Sequence, residues 1–407
     1  MADLLVRAAW GDEAFLARAL TPGPGVARPR GIRIVADAHV IARKPGLAAI
    51  ARAAGVPLLV DPQTYFLQDT QQATDPWVRL PFGSAGASRP TDFATESAID
   101  DLVHRVVTAQ AVGGATAIVP PYFHLGADES GWDDVQARVW RRTPGVMTAA
   151  GIGLPRLALV SVDWARLRDP SFLTSDQDLH RAMVAVDPAE VALASSRSHM
   201  GRTADARLFD LVTLIHRLAA MTPVIAWQQG VLGEACVAAG AAGYETGIGT
   251  RETYDVSRTL AGHRGTASAG PEQQRRQARP VFVPSLGRSV GKRSLEAISR
   301  IAPLWALLMC HDAACCRPGG ASMLGDARYH AVTSRRRSLD QLTSVEQAHW
   351  RWGVLAEKAA LATTLATRIN RLATDSEDIK RVDPVPLDAI TVVSEQLRKP
   401  TSRPQTA

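Results

Sequence analysis

The sequence predicts an α/β fold of the (β/α)8 TIM-type barrel class. Short apolar runs rich in Val, Ile and Leu recur along the 407 residues, and each is followed by a stretch with helical spacing. Strands that are almost wholly apolar must be covered on both faces, which a parallel sheet wrapped by helices provides. About eight such units can be counted, and eight is the number that closes a barrel. An open doubly wound sheet is the alternative, and it is weakened because no strand is followed by a G-x-G-x-x-G turn.

The predicted strands and helices alternate along the chain. The strands are Ile32 to Ala36, Pro57 to Val60, Ala115 to Val119, Leu157 to Val162, Val191 to Ala194, Pro223 to Trp227, Gly243 to Glu245, and either Pro280 to Val283 or Leu304 to Met309. Two helices show apolar residues at positions i, i+3, i+4 and i+7. These faces consist of Ile99, Leu102, Val103 and Val106 in one helix and Leu208, Leu211, Val212 and Ile215 in the other. If the units close a barrel, catalytic residues should lie where strands end and loops begin.

The chain is predicted to contain three regions. Residues 1–340 form the barrel, including a zinc-binding segment at about residues 310–330, and residues 341–395 form a C-terminal helical extension. A long helical pattern that starts at Ser344 supports the extension, and residues 396–407 are predicted to be a flexible tail. The segment from Thr250 to Arg279 has little apolar content, and a loop of that length is usually functional or disordered.

The composition excludes several classes of protein. With 46% hydrophobic and 21% charged residues, the chain can bury a large core, so a disordered or fibrous protein is not expected. No apolar run approaches the roughly 18 residues of a membrane helix, and the N-terminus carries acidic residues without a cleavable apolar core. We therefore expect a cytoplasmic protein with no membrane partner. The net charge of +6 allows a polyanionic partner without requiring one.

Two acidic residues stand at the ends of predicted strands. Asp61, in LLVDPQTYFLQD, would point into the mouth of a barrel, where it can bind or protonate a ligand while Tyr65 lies against a flat ring. A capped Asp-Pro turn with packing at the rim is the alternative. Glu245, in GYETGIGTRETYD, is flanked by glycines that let a ligand approach closely. A simple salt bridge between Glu245 and Arg251 explains that pair equally well.

Three of the four cysteines lie in the segment CHDAACC at residues 310–316. Such clustering is not a disulfide framework, and in a reducing compartment it more often indicates a metal site. The predicted zinc ligands are Cys310, Asp312, Cys315 and His330, with Cys316 or His311 as alternatives to Asp312. Four protein ligands leave no open position, so the zinc would be structural and would tie the end of the barrel to the C-terminal helix. Buried thiols that pack as small apolar side chains are the alternative.

Arginines are dense in two places that suit the binding of backbone phosphates. They are Arg251, Arg258, Arg264, Arg275, Arg276 and Arg279 in the long loop, and Arg335, Arg336 and Arg337 farther along. A solvated charged surface explains the same pattern nearly as well. No helix-turn-helix and no aromatic-rich RNA-binding signature accompanies these arginines.

Taken together, the motifs resemble the tRNA-guanine transglycosylase superfamily, which includes relatives that place 7-deazaguanine bases into DNA. In DPQTYF, Asp61 and Tyr65 hold the acidic and aromatic positions of the family's D-S-G-G-[FY]-Q motif. CHDAAC with the later His330 is similar to the family's zinc pattern, C-x-C-x-x-C followed by His, with Asp312 at the middle position.

A third motif lies between these two. GAAGYETGIGTRETYD is similar to the family's G-x-x-[FY]-D-x-x-x-P-T-R pattern at Tyr244, Glu245, Thr250 and Arg251, with Glu in place of the nucleophilic Asp. The resemblance covers roughly Pro57 to Arg337, which is most of the chain, and its specificity rests on three partial matches in the right order.

The resemblance implies a base exchange on nucleic acid with retention of configuration. Glu245 would attack the anomeric carbon, Asp61 would carry a proton between the departing and incoming bases, and Tyr65, Tyr244 and Arg251 would bind the substrate. The implied partners are DNA or tRNA and a 7-deazaguanine base that replaces guanine. The implied cofactor is one structural Zn²⁺. Accessory proteins or a homodimer remain open.

The sequence departs from the family in ways that keep other functions open. The family's second base-recognising Asp would fall near IVPPYF, where Pro120 and Pro121 stand, and its glycine-rich stretch is replaced by ASSRSHMG. One alternative function is a non-catalytic barrel that binds nucleic acid. The other is an unrelated TIM-barrel enzyme that acts on a small metabolite.

Overall fold

The computed structural model describes residues 1–20, 30–69, 77–84, 86–127, 131–261, 278–313, 315–316 and 318–399. Its centre is a curled sheet of eight parallel strands. The strands are β1 Asp3–Ala8, β2 Ile32–Asp37, β3 Leu58–Asp61, β4 His124–Leu125, β5 Leu157–Asp163, β6 Glu190–Ser196, β7 Val224–Ala226 and β8 Gly243–Gly247. Apart from the short β4, each is almost wholly buried, as a sheet covered on both faces requires.

The strand order shows how the sheet curls. The order is β3-β2-β1-β8-β7-β6-β5-β4, so the first and last strands of the barrel repeat lie side by side. Parallel bridges join Leu59 to Ala117 and Ile118 to Arg156, which places residues 117–118 between β3 and β5. The segment predicted as the third strand, Ala115 to Val119, therefore lies at the fourth position of a TIM-type barrel, since β1 had not been predicted.

Helices surround the sheet, as predicted. They are α1 Glu13–Leu20, α2 Ala38–Arg43, α3 Gly46–Ala54, α4 Glu96–Val112, α5 Trp132–Ala149, α6 Asp178–Ala185, α7 Ala204–Ala219, α8 Gly233–Ala238, α9 Lys292–Ile298, α10 Ala302–Leu308, α11 Ala321–Gly325, α12 Ala327–Ser344, α13 Ala348–Asp375 and α14 Val385–Leu397. The two predicted apolar faces are the buried faces of α4 and α7. Within the described part of the chain, no helix is both long and apolar enough to cross a membrane.

Alternate residues of the strands fill the barrel interior, because side chains of a strand point to opposite faces in turn. Leu5, Val35 and Leu59 belong to the inner hydrophobic cluster. Near the amino ends of the strands, Arg33 donates hydrogen bonds to Asp3 at 2.7 Å and to Glu190 at 2.5 Å. The positions two residues beyond Leu5, Val35 and Leu59 are charged, so the carboxyl end of the barrel differs sharply from its apolar middle.

Two strand assignments differ from the sequence prediction. The first barrel strand is β1, which the sequence had not marked because Asp3 and Arg7 interrupt its apolar run. Neither candidate for the eighth strand is in the barrel. Pro280 to Val283 contains β9 Val281–Val283, which pairs antiparallel with β10 Arg288–Val290 in a separate small sheet. Leu304 to Met309 is helix α10, because Leu304 and Leu308 are spaced to share one helical face, and both are buried.

The region after β8 builds a second hydrophobic cluster beside the barrel. It includes β9, α9 and α10 together with one face of α13, and the three cysteines of the CHDAACC segment belong to it. The long helical pattern predicted from Ser344 corresponds to α13, against which α14 packs. Residues 400–407 of the predicted tail lie outside the described residues.

Candidate functional site

Four strands deliver charged side chains to one point inside the carboxyl end of the barrel. At the centre is Arg7, whose guanidinium is buried and donates four hydrogen bonds to three carboxylates. Its Nε donates to Glu245 Oε1 at 2.5 Å, and its Nη1 donates to Asp37. Its Nη2 donates to Asp61 Oδ2 at 2.8 Å and to Glu245 Oε2 at 3.2 Å. We call Arg7, Asp37, Asp61 and Glu245 the acid cluster.

The two acids singled out by the sequence, Asp61 and Glu245, therefore converge. Both accept a hydrogen bond from the same Nη2 atom of Arg7, so their nearest carboxyl oxygens are at most two hydrogen-bond lengths apart. Neither is more than 1% exposed. Parallel strands end at a common edge, which explains how residues from β3 and β8 meet.

The acid cluster contains more negative than positive charge. Arg251 extends inward from the loop after β8 and donates to Asp37, so two guanidinium groups face three carboxyl groups. Burial raises the pKa of Asp37, but attraction by Arg251 and Arg7 outweighs it and leaves that pKa well below its ordinary value. Burial also raises the pKa of Asp61, and it raises that of Glu245 to about 7, even though Arg7 opposes both shifts. In both Asp61 and Glu245 the buried surroundings therefore favour the protonated form more than water does.

Neutral donors fix the orientation of the two acids. Tyr122 donates its hydroxyl hydrogen to Asp61 Oδ1 at 2.8 Å, and the backbone N–H of Gln63 donates to the same oxygen at 3.0 Å. The backbone N–H of Gln228 donates to Glu245 Oε2 at 3.2 Å. These bonds come from three separate loops, so the carboxylates are held from several directions.

Tyr122 lies in a segment whose backbone is fixed mainly by hydrogen bonds from side chains and not by pairing with a neighbouring strand. Residues 119–124 contain Pro120 and Pro121, which lack N–H donors. Gln110 bonds both the N–H and the carbonyl of Val119, at 2.9 and 2.6 Å. Further along the segment, Thr64 bonds the backbone of Tyr122, Gln136 bonds Pro121 and Phe123, and Gln68 bonds His124. Side chains thereby satisfy many of the backbone polar groups in this irregular segment.

The same segment brings a second polar group to the mouth of the barrel. Ser161 Oγ, on β5, lies 3.0 Å from His124 Nδ1 and 2.6 Å from the hydroxyl oxygen of Tyr254. Burial lowers the pKa of His124 to about 4, so its imidazole is neutral at neutral pH. The ring of Tyr254 meets that of Tyr65 edge-on at 6.3 Å between centroids, which connects this group to the acid cluster.

Three predicted substrate-binding residues lie in different surroundings. Tyr65 lies in the inner cluster, with its ring stacked on Phe66 at 4.7 Å and near the ring of Tyr122. Arg251 faces Asp37, as described above, and 39% of its side chain is exposed. Tyr244 precedes Glu245 on β8 and so points to the opposite face, where it packs within van der Waals reach of Gly233 on α8. That position assigns Tyr244 to the core between sheet and helices and not to the acid cluster.

The cysteine segment forms a second buried cluster with His330 on α12. The Sγ atoms of Cys310 and Cys315 are 3.6 Å apart, and His330 Nδ1 lies 3.5 Å from Cys315 Sγ and 3.3 Å from Cys316 Sγ. All four ligand atoms lie within 4.8 Å of one another, and all four residues are buried. His330 Nε2 is 2.8 Å from the carbonyl oxygen of Phe282, which leaves Nδ1 free to bind a metal.

The fourth ligand position belongs to Cys316. The carboxylate of Asp312, which the sequence placed among the ligands, instead accepts a hydrogen bond from Arg337 at the surface. The backbone carbonyl of Asp312 accepts the N–H groups of Cys315 and Cys316, at 3.1 and 2.8 Å, and this turn folds both thiols inward. The resulting Cys3His set can hold a metal ion.

Most of the arginines expected to contact phosphates are used within the fold. Arg335 donates to Glu252 at 2.5 Å, and Arg336 donates to the carbonyl of Ala2 at 2.7 Å. Arg279 pairs with the buried Asp12 at 2.7 Å. Arg264, Arg275 and Arg276 lie outside the described residues.

Sequence reasoning missed Arg7, Asp37 and Tyr122, although signals for two of them existed. Asp37 directly follows the predicted strand Ile32 to Ala36, which is the same position that singled out Asp61. Arg7 follows Leu5 in an alternating pattern once β1 is recognised as a strand. Tyr122 carried no signal of its own, because its position depends on the side chains that hold residues 119–124.

The chain is thus an α/β barrel of the TIM type with an acid cluster in its mouth and a Cys3His cluster beside it. No protein-family model matches the sequence, and no curated protein matches it. Among solved structures, it is similar to a type I 3-dehydroquinate dehydratase from Clostridium difficile, with 9% identity and a TM-score of 0.33, over 66% of this chain and 94% of that one. It is also similar to a nitroalkane oxidase from Streptomyces ansochromogenes, with 14% identity and a TM-score of 0.29, over 83% and 86%. Likeness at this level carries no information about activity.

Proposed function

We propose that this barrel is a glycosyl-transferring enzyme that exchanges a base on DNA or tRNA, replacing guanine with a 7-deazaguanine. Glu245 is the nucleophile and Asp61 the general acid and base. The observation that supports the proposal is that these two acids share one guanidinium nitrogen at the carboxyl end of the barrel. The proposal joins this geometry to the partial motifs in the sequence.

The separation of the two acids favours a retaining mechanism. Carboxyl pairs of retaining glycosidases are about 5–5.5 Å apart, whereas inverting pairs are roughly 6.5–9.5 Å apart to leave room for water. Hydrogen bonds of 2.8 and 3.2 Å to one nitrogen keep the nearest oxygens of Asp61 and Glu245 below the inverting range. A covalent glycosyl ester on Glu245 therefore fits better than direct attack by water.

The charges around Asp61 and Glu245 match the roles proposed for these two acids. In the first step, the Glu245 carboxylate attacks the anomeric carbon, the carbon–nitrogen bond breaks, and Asp61 gives its proton to the departing base. In the second step, Asp61 takes a proton from the incoming base, whose nitrogen displaces Glu245. Arg7 opposes the effect of burial on Glu245 and so favours its ionised form, whereas burial raises the pKa of Asp61 and favours the protonated form that the leaving group requires.

An unpartnered donor lies next to the acid cluster. The indole N–H of Trp227 is fully buried and has no hydrogen-bond acceptor among the described residues. The guanidinium of Arg7 lies 5.5 Å from its ring centroid. A buried donor without a partner costs roughly 1–3 kcal/mol, and an acceptor atom on a bound base or sugar would remove that cost.

Binding requires a rearrangement at the rim, because the acids are buried. Arg251 contacts Asp37 and has the more exposed side chain of the two guanidinium groups. In this proposal, Arg251 leaves Asp37 to meet a backbone phosphate, and Tyr65 then lies against the base. The ring of Tyr65 already faces the same end of the barrel as Asp61.

The Cys3His cluster is proposed to hold one structural Zn²⁺. Tetrahedral zinc with Zn–S bonds near 2.3 Å places neighbouring sulfurs roughly 3.8 Å apart and sulfur and nitrogen roughly 3.6 Å apart. The separations of 3.6 Å between Cys310 and Cys315 and of 3.5 and 3.3 Å to His330 are close to these values. With four protein ligands, the ion would tie the cysteine segment after α10 to α12 and would have no position for water.

The test is incubation of the full-length protein with labelled 7-deazaguanine and either bulk tRNA or genomic DNA. The protein should incorporate label into one of them, and denaturing gels should show a covalent adduct. Glu245→Gln should lower both signals on the order of a thousandfold or more, because the amide cannot form the ester. Glu190→Gln is the matched control, since Glu190 lies at the opposite end of the barrel. Incorporation that survives Glu245→Gln would remove Glu245 from the nucleophile role.

One observation favours a second function, catalysis on a small metabolite. The acid cluster is enclosed, with each carboxylate at most 1% exposed, as in a pocket that closes around a small molecule. That function predicts no affinity for tRNA or DNA. A barrel that only binds nucleic acid predicts binding without incorporation and full tolerance of Glu245→Gln.

A further inference from the structure

Two arginines that the sequence motifs did not single out lie against Trp164, just beyond the carboxyl end of β5, and a third follows in a loop that approaches one of them. The guanidinium carbon of Arg207 lies 3.6 Å from the centroid of the Trp164 ring, and that of Arg168 lies 5.4 Å from it. Arg202 follows Gly201, and a Cβ added at Gly201 would meet the Arg207 guanidinium at 3.3 Å. We call Arg168, Arg202 and Arg207 the rim arginines.

Asp163 and Asp210 attract two of the rim arginines, Arg207 and Arg168, without forming an ion pair with them. Across the described residues, none of the three forms an ion pair with a carboxylate, and Arg168 and Arg202 are exposed. Arg207 donates to the carbonyl oxygen of Arg197, and its own Nε has no partner among those residues. Burial and repulsion by Arg197 lower the pKa of Arg207, although attraction by Asp163 opposes the shift.

The loop between β6 and α7, which carries Arg202, begins in an unfavourable conformation. Arg197 has a φ of 61°, in the left-handed region that non-glycine residues seldom adopt. Its backbone N–H donates to the carbonyl of Tyr254 at 3.0 Å, and its side chain pairs with Asp163 at 2.6 Å. Strained residues of this kind persist where the surroundings fix them, often at functional sites.

The same contacts place the rim arginines beside the mouth of the barrel. Tyr254, whose carbonyl binds Arg197, reaches Ser161 with its hydroxyl and meets the ring of Tyr65. Asp163 is the last residue of β5, at the same edge of the sheet as Asp61. A polymer that presents one nucleotide to the acid cluster therefore passes its flanking backbone close to this rim.

We propose that Arg168, Arg202 and Arg207 bind the phosphodiester backbone of the nucleic acid that enters the barrel. The choice of nucleic acid as the occupant rests on the proposed function. Arginine suits this contact, since its guanidinium stays charged and bonds two phosphate oxygens at once. Trp164 lies against Arg207 and Arg168, so it orients their guanidinium groups and does not itself stack on a base.

The test compares binding of a fluorescently labelled DNA duplex and of bulk tRNA to the full-length protein over a range of salt concentrations. The double variant Arg168→Gln/Arg202→Gln changes two exposed residues that pair with no carboxylate in the described part of the chain, so folding is preserved. Its affinity for the preferred polymer should fall by about tenfold or more at low salt. The slope of log affinity against log salt should become shallower by roughly two, one for each lost phosphate contact.

Arg141→Gln/Arg181→Gln is the matched control, because both residues are exposed and pair with Asp178 on the outer helices. This control should keep the wild-type affinity and slope. Equal losses in the two double variants, an unchanged slope in Arg168→Gln/Arg202→Gln, or a wild-type protein that binds neither polymer would overturn the proposal.

The two proposals fail in different ways. If wild type binds through the rim arginines but incorporates no 7-deazaguanine, the base-exchange function is wrong and the binding surface stands. If Arg168→Gln/Arg202→Gln incorporates label with wild-type KM, the base exchange stands and the binding surface is wrong. Glu245→Gln, tested in parallel, should still bind the polymer with the wild-type salt dependence.

Discussion

The acid cluster and the Cys3His cluster are both buried, but only the acid cluster has positively charged side chains within it. The three carboxyl groups of the acid cluster face two guanidinium groups, that of Arg7 and that of the neighbouring Arg251, so one added proton would balance the charges. The Cys3His cluster brings together three thiols and a neutral imidazole with no positive charge among them. Burial of ionised groups is costly unless opposite charge is supplied. The first cluster is therefore suited to exchange a proton, and the second to retain a metal ion.

Removal of the metal is expected to produce the largest effect. Cys316→Ser should abolish stoichiometric metal binding, and residues 281–325 should become sensitive to protease, because the cysteines belong to the hydrophobic cluster of that region. In small zinc domains, the metal contributes on the order of 10 kcal/mol to folding. Elemental analysis and limited proteolysis are the measurements.

Asp312→Asn is the control that separates the two ligand assignments. It should keep a full equivalent of metal, since the carboxylate of Asp312 faces Arg337 and not the thiols. If Asp312→Asn loses the metal and Cys316→Ser keeps it, the cluster described here is not the binding site.

Loss of Arg7 is the next largest expected effect. Arg7→Met leaves three buried carboxyl groups with only Arg251 to compensate, and breaking a buried ion pair in this way costs roughly 3–5 kcal/mol. Urea denaturation at neutral pH measures the loss. Arg33→Met, at the amino end of the barrel, should lower the free energy of unfolding by less. The Arg33 side chain is 17% exposed, so water can solvate the carboxylates that lose their partner. Equal decreases in the free energy of unfolding for Arg7→Met and Arg33→Met would show that Arg7 stabilises the fold no more than an ordinary partly exposed ion pair does.

The two clusters also differ in how well the sequence reveals them. Cys310, Cys315 and Cys316 are close in sequence, so local spacing predicted a metal site, and only the choice between Asp312 and Cys316 needed the structure. The acid cluster draws on β1, β2, β3 and β8, which are distant in sequence. Asp61 and Glu245 could be predicted because they end recognisable apolar strands.

Arg7 could not be predicted in the same way. The charge of Arg7 interrupts the apolar run of β1. Because that run was the signal used to predict strands, β1 was not predicted, and neither was Arg7. The barrel class was nevertheless predicted correctly, since the remaining strands alternate with helices. Fold class depends on many repeated signals, whereas the position of one side chain depends on a single strand and its register.

The pH dependence of stability gives the smallest expected effect and tests the acid cluster directly. Burial raises the pKa of Glu245 from its ordinary value of 4.5 to about 7, so the folded state favours the protonated form. The stabilisation is complete below pH 4.5 and is lost as pH rises toward 7, because ionisation is then easier in the unfolded chain. Over this window, Glu245 should lower the free energy of unfolding by roughly 3 kcal/mol.

Glu245→Gln isolates this contribution, since glutamine has a similar shape and cannot ionise. The difference in unfolding free energy between wild type and Glu245→Gln should shift in favour of the variant between pH 4.5 and 7 and then stay constant. Curves for wild type and Glu245→Gln that run parallel over this range would mean that Arg7 keeps Glu245 ionised throughout. In that case Asp61 alone would carry the proton of the acid cluster.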